Sequence, residues 1–291
     1  MKVIIFAGAK INDYSFCKDY MTDADAIICC DAGMRHAKAL GIDPDYIVGD
    51  FDSTSSDVLE YYKAKNIPIR QFPTRKDETD MELGIFLALE LGATDIVMFG
   101  GIGDRFDHTL ANAHYLLSLL KKGVRARLVD DKNCVEVIDK HLTVKGKVGD
   151  LVSTLPLSME VTGITLKGFS YPLTDATLTL DGDYIAVSNV LAEETATIDI
   201  KSGYLFVIRS RDKKRVRKDS FLFAQNSFLY IEIKKGGEGM RRRYHGAPTQ
   251  WLGGLLLIAI GVGMLLACLI PKCVYVVGLI FVCLGCWLMK K

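Results

Sequence analysis

The first 125 residues alternate short apolar runs with stretches of helical periodicity. Lys2–Phe6, Ala26–Cys30, Tyr46–Val48, Pro68–Phe72 and Asp95–Phe99 read as strands, and the segments near 13–21, 33–40, 55–65, 80–91 and 107–122 read as helices. Met81, Ile85, Ala88 and Leu89 recur at helical spacing, and Gly92 supplies the stop. Parallel strands need long crossovers, so this pattern predicts an α/β domain, residues 1–125, with a mostly parallel sheet and helices on both faces. In such sheets ligands bind outside the carboxyl ends of the strands.

From 126 to 210 the pattern changes to short strands and turn signals. Candidates are Val124–Val129, Asn133–Ile138, His141–Val144, Leu151–Leu155, Gly163–Leu166, Ala176–Leu180, Thr195–Ile200 and Tyr204–Ile208. The expectation is a second, all-β domain built as a sandwich. Residues 211–250 form a basic linker with two strand-like runs, Ser220–Phe223 and Ser227–Tyr230.

Residues 251–291 read differently again. Trp251–Ile270 is twenty residues without a charge, long enough as a helix to cross about 30 Å of hydrocarbon. Pro271-Lys272 interrupts it, and Cys273–Met289 adds seventeen more uncharged residues. The expectation is a two-helix membrane hairpin that meets the lipid bilayer through 251–289. Arg241–Arg243 precede it and Lys290-Lys291 follow it. The bias of positive residues toward the cytoplasmic side then puts both hairpin ends and the body in the cytosol, at the cytoplasmic membrane. Met1–Phe6 is too short an apolar run to be a cleavable signal.

The net charge of +1 hides an asymmetry. Residues 211–243 hold eleven Lys or Arg against four Asp or Glu, and the first 210 residues carry a net −9. An acidic body argues against nucleic-acid binding and suits phosphate held through metal ions. The eight cysteines have no disulfide or zinc-knuckle spacing outside Cys283-x-x-Cys286, which lies in an apolar run, so a reducing compartment is expected.

Three strings place carboxylates at turns beside apolar segments: Gly49-Asp50-Phe51-Asp52-Ser53, Lys76-Asp77-Glu78-Thr79-Asp80 and Gly100-Gly101-Ile102-Gly103-Asp104-Arg105-Phe106-Asp107-His108. Residues two apart in extended chain share a face, so Asp50 and Asp52 can converge on one magnesium ion. Taken singly, each aspartate reads equally as a turn former or helix cap, and Asp80 as an acid at a helix N-terminus. Three clusters within sixty residues favour a metal–phosphate site. No Gly-x-x-x-x-Gly-Lys-Ser/Thr loop occurs, so P-loop phosphate binding is excluded. The glycines before Arg105 allow close backbone approach, and an arginine at a helix start suits phosphate.

In this order and spacing the three strings resemble the thiamine pyrophosphokinase family, over roughly residues 1–210. The resemblance implies a magnesium-dependent enzyme that moves a pyrophosphoryl group from ATP to the hydroxyethyl oxygen of thiamine and releases AMP. It also implies a homodimer, through the β domain, with thiamine bound between subunits. Asp50, Asp52 and Asp80 match the metal-binding carboxylates. Asp31, in Cys30-Asp31-Ala32-Gly33, matches a substrate-contact segment in which Ala32 replaces a glycine. Thr79, Arg105 and Asp107 match positions near the phosphates and substrate, and Asp104 stands where the family often has glycine. Ser188-Asn189 matches a pair near the thiamine pocket. Phe206 falls where an aromatic platform is expected, a position equally suited to a core phenylalanine.

The implied catalytic residues are Asp80, Arg105 and Asp107. Arg105 would stabilise charge on the transferred group, and Asp80 or Asp107 would be the base. His108 reads better as a structural hydrogen-bonder than as an acid or base. The resemblance does not cover the linker or hairpin. A membrane-bound nucleotide- or thiamine-binding sensor without turnover is the alternative, and a metal-dependent phosphohydrolase is a third reading.

Overall fold

The computed structural model describes residues 1–52, 54–73, 77–182 and 186–211. The first part runs β1 (Lys2–Phe6), α1 (Cys17–Met21), β2 (Ala26–Cys30), α2 (Met34–Leu40), β3 (Tyr46–Gly49), α3 (Ser56–Ala64), β4 (Ile69–Gln71), α4 (Asp80–Glu90), β5 (Asp95–Phe99), α5 (Phe106–Lys121) and β6 (Arg125–Val129). These six strands lie in the order β6-β5-β1-β2-β3-β4 and pair in parallel. The chain steps outward from β1 to β4, and α4 then carries it back to the other side of β1. The switch point of the sheet therefore lies between β1 and β5.

That reversal decides which face each helix covers, because right-handed crossovers running opposite ways lie on opposite faces. Phe16 and Cys17 at α1, Met34 and Ala37 of α2 and Tyr62 of α3 pack with Ile4, Phe6 and Ile47. Met81 and Ile85 of α4 and Leu116 of α5 pack with the alternate strand residues Val3, Ile5 and Ile28. A strand buried on both faces must be apolar at consecutive positions, and Lys2–Phe6 is the example.

The second part adds β7 (Asn133–Ile138), β8 (His141–Lys145), β9 (Leu151–Pro156), β10 (Glu160–Lys167), β11 (Leu173–Thr179), β12 (Ala186–Val190), β13 (Thr195–Asp199) and β14 (Leu205–Ser210). β7 pairs antiparallel with β6 and continues the same sheet through β14 and β9 to β12. The mostly parallel sheet expected over 1–125 is thus one end of a ten-stranded mixed sheet. A four-stranded sheet, β11-β10-β13-β8, packs over its antiparallel end through Val152, Leu166, Ile198 and Val207. This is the expected β sandwich, with one sheet continuous with the α/β part.

β12 escaped the sequence reading. It is an edge strand with an irregular register against β9, and Ser188 within it has φ +59°. The helix expected over 13–21 begins only at Cys17, because Asp13 accepts the Ser15 amide in a turn (2.9 Å).

Residues 212–291 lie outside the described residues, with nearly all of the expected basic linker and the whole expected membrane hairpin. Among the described residues no helix is long and apolar enough to cross a membrane.

Candidate active site

The site starts from two neighbouring strand ends. β2 and β3 pair in parallel, so the residues that follow each emerge side by side. Asp31 opens a 3-10 turn, Asp31–Gly33, directly after β2, with φ +44° and only 4% exposure. Asp50 and Asp52 follow β3, which ends at Gly49. Among the described residues, Asp31, Asp50 and Asp52 each bring a carboxylate oxygen within 4.8 Å of the others. The Thr54 hydroxyl donates to Asp31 Oδ1 (2.8 Å), which fixes the orientation of that buried carboxylate.

The convergence of Asp50 and Asp52 does not come from strand alternation. Phe51 between them has φ +64°, and the Asp52 amide faces Asp50 Oδ1 at 3.3 Å. A tight left-handed turn brings the two side chains together. Two non-glycine residues with positive φ, Asp31 and Phe51, thus flank one acidic cluster, the kind of strain that surrounding structure maintains at functional sites.

Hard oxygen donors from carboxylates at this separation fit magnesium. An octahedral ion with bonds of about 2.1 Å sets opposite ligands roughly 4.2 Å apart and keeps water or phosphate in its remaining positions. Asp31 therefore stands with Asp50 and Asp52 in the trio, where the sequence reading put Asp80.

Asp80 is the first residue of α4 and lies outside that trio. It is close to Cys30 at the end of β2. Burial chiefly holds the Cys30 thiol well above its ordinary pKa, and the charges of Asp80 and Asp31 add to that. Thr79 caps α4: its hydroxyl accepts the Glu82 amide (3.3 Å) and the Glu82 carboxylate accepts the Thr79 amide (2.6 Å). This capping box fixes the helix start beside Asp80.

The glycine string lies at the switch point. Gly100 has φ +64°, and a Cβ there would meet the Ala7 carbonyl oxygen at 2.3 Å, so the loop after β5 presses on the end of β1. The buried Asn112 of α5 donates to the Gly101 carbonyl (2.8 Å) and holds the loop from below. The loop delivers Arg105 to the start of α5, where it pairs with Asp107 through Nη2 to Oδ2 (2.7 Å) and Nε to Oδ1 (3.3 Å). Both side chains are exposed. The Arg105 hydrogen bond, then the His108 amide, hold the Asp107 carboxyl below its usual range, so it stays ionised and is a weak base. His108 sits exposed in the same turn.

Sequence reasoning missed three residues here. Asn112 gave no local signal. Arg35 and His36 sit in the first turn of α2 and reach back to the segment after β1: Arg35 donates to the Gly8 carbonyl and His36 contacts the Ala9 carbonyl (2.9 Å). Their position four and five residues after Asp31, beyond a strand's carboxyl end, was the available clue.

The remaining expected residues lie in the β part. Asn189 clamps the Tyr171 backbone, accepting its amide (3.1 Å) and donating to its carbonyl (2.7 Å). The Ser188 amide donates to the Ser153 hydroxyl (3.0 Å). Phe206 is half-buried on β14 and meets His114 of α5 edge-on at 6.3 Å, a packing contact. Strand order separates Ser188 and Asn189 from the acidic trio. β12 and β2 stand seven strands apart in the sheet, about 34 Å at ~4.8 Å per strand.

The sequence matches the family "Thiamin pyrophosphokinase, catalytic domain" over residues 17–128 and "Thiamin pyrophosphokinase, vitamin B1 binding domain" over 139–205. It is 31% identical over 215 residues to the thiamine pyrophosphokinase of Bacillus subtilis (strain 168), covering 73% of this chain and 100% of that protein. The Bacillus subtilis crystal structure aligns with TM-score 0.66 at 30% identity, again over 73% of this chain and 100% of that one. That of the Geobacillus thermodenitrificans thiamin pyrophosphokinase aligns with TM-score 0.63 at 31% identity, over 73% and 99%.

Proposed function

The chain belongs to the thiamine pyrophosphokinase family, and we propose that it transfers the pyrophosphoryl group of ATP to the hydroxyl of thiamine, giving thiamine diphosphate and AMP. The observation that carries this reading is the trio Asp31, Asp50 and Asp52, convergent within 4.8 Å at the strand ends. The Gly100–Arg105 loop follows β5, two strands from β2 in the sheet and so roughly 10 Å away.

Magnesium, held by Asp31, Asp50 and Asp52, would neutralise phosphate charge that otherwise repels an alcohol nucleophile. The chain's own residues do the rest. Arg105 offers a planar pair of donors to the transferred group, and Asp107 orients that guanidinium in the absence of substrate. Gly100 and Gly103 let the loop pack onto the Ala7–Ala9 segment, which sets where Arg105 enters α5. Asp80 at the start of α4 and Asp107 at the start of α5 are the two candidates by position to take the thiamine proton.

The separation of Ser188 and Asn189 from the trio favours a homodimer. One chain would supply the nucleotide half and its partner the thiamine half. A tether to the bilayer through 251–289, with the body facing the cytosol, rests on the apolar sequence and its flanking lysines and arginines.

The test incubates full-length protein with ATP, magnesium and thiamine and separates the nucleotides. AMP formation that requires thiamine supports the reading. ADP or phosphate release without thiamine would make it a phosphohydrolase, and tight ligand binding without turnover a sensor. Flotation with vesicles, lost on truncation after Arg211 while activity persists, would support the tether.

A further inference from the structure

One buried imidazole has no part in the chemistry above. His36 is 1% exposed. Its Nε2 is 2.9 Å from the Ala9 carbonyl oxygen and its Nδ1 is 2.8 Å from the Tyr14 hydroxyl. A carbonyl only accepts, so Nε2 carries the proton and Nδ1 accepts from tyrosine. Burial, then the neighbouring Arg35 charge, lower the His36 pKa to about 4. The ring is therefore neutral near pH 7, and its tautomer is set.

The carbonyl it holds belongs to the residue where two loops meet. The Ala9 amide donates to the Gly100 carbonyl (2.9 Å), and the Ala7 amide donates to that of Phe99 (2.8 Å). A Cβ on Gly103 would come within 2.7 Å of the Ala9 Cβ. On its other side the segment is tied to α2, through Arg35 to Gly8 and through His36 to Ala9. Ala7–Ala9 lies beyond the end of β1, where the chain has left the ladder and its carbonyls need other donors. A histidine that only filled space would need neither hydrogen bond.

We propose that His36 is a positioning residue for the nucleotide: it sets the Ala7–Ala9 segment, and through it the Gly100–Arg105 loop, without touching ATP. This rests on the pyrophosphokinase reading. The effect belongs to the nucleotide half of the reaction, because both loops end at the switch point while Ser188 and Asn189 lie at the far edge of the sheet.

The test is steady-state kinetics on the full-length chain, with thermal midpoints measured alongside. His36→Ala is expected to raise the KM for ATP about tenfold and to leave that for thiamine within about twofold, the scale of one lost hydrogen bond. His36→Gln, whose amide nitrogen can stand in for Nε2, is expected to recover ATP KM to within about threefold of wild type. Tyr14→Phe leaves the ring in place and is expected to raise ATP KM about two- to threefold. An unchanged ATP KM in His36→Ala, whatever its thermal midpoint, would overturn the inference, and so would equal rises for ATP and thiamine. Should His36→Ala fail to fold, Tyr14→Phe decides: the rise supports the role and an unchanged ATP KM overturns it. Wild-type protein that forms no AMP with thiamine would instead refute the functional reading, and this inference with it.

Discussion

Gly49 and Asp31 meet at the backbone: a Cβ on Gly49 would lie 3.1 Å from both the amide nitrogen and the Cβ of Asp31. Gly49 also has φ +148°, a conformation that L side chains rarely adopt. The glycine at the end of β3 therefore lets the acid at the end of β2 stand beside Asp50 and Asp52. Gly49→Ala should cost about 1–3 kcal/mol of stability and lower activity further than its unfolded fraction explains. Chemical denaturation beside turnover at a temperature where the variant is folded would check this.

Asp31, not Asp80, converges with Asp50 and Asp52. Asp31→Asn should weaken Mn2+ binding by at least about tenfold, since it removes one of three convergent carboxylates. Asp80→Asn should leave that affinity within about threefold and depress turnover instead. Mn2+ titration followed by electron paramagnetic resonance separates the two. Excess chelator should abolish activity without unfolding the protein, because the hydrophobic cores do not depend on the ion.

Arg105 and Asp107 should differ in weight. Arg105→Ala should lower kcat about a hundredfold, the usual cost of a donor aimed at developing charge. Asp107→Asn should cost less than about fivefold, because the arginine remains. Asp107 is held ionised by Arg105, so its replacement should not move the acid limb of the pH–rate profile.

The depressed pKa of His36 makes stability depend on pH with a definite sign. Between the ordinary value of 6.5 and about 4 the unfolded chain binds the proton and the folded chain does not. Stability should therefore be complete above pH 6.5 and fall as pH drops through that window, by up to roughly 3 kcal/mol at its lower end. His36→Gln should remove this component, measurable as a flatter dependence of the urea midpoint on pH.

The strands were legible because burial on both faces demands consecutive apolar residues, and Lys2–Phe6, Ala26–Cys30 and Asp95–Phe99 match their expected bounds. The edge strand Ala186–Val190 was not, since none of its residues is buried and Ser188 breaks the extended pattern. The site was legible as three acidic or glycine-rich turns. The place of Asp31 among the carboxylates depends on β2 and β3 being neighbours, a matter of strand order that no local pattern encodes. The turn that joins Asp50 to Asp52 depends on a positive φ at Phe51, which a bulky aromatic does not advertise. His36 was invisible because a histidine in a short helix reads the same in sequence whether or not its nitrogens hold a loop.

The most direct test counts products. Wild-type protein with ATP, magnesium and thiamine should form AMP and thiamine diphosphate in equal amounts, and Asp52→Asn, folded to the same thermal midpoint within a few degrees, should do so at least about a hundredfold more slowly. ADP as the nucleotide product, or an Asp52→Asn rate close to wild type, would contradict the assignment of this acidic trio to pyrophosphoryl transfer.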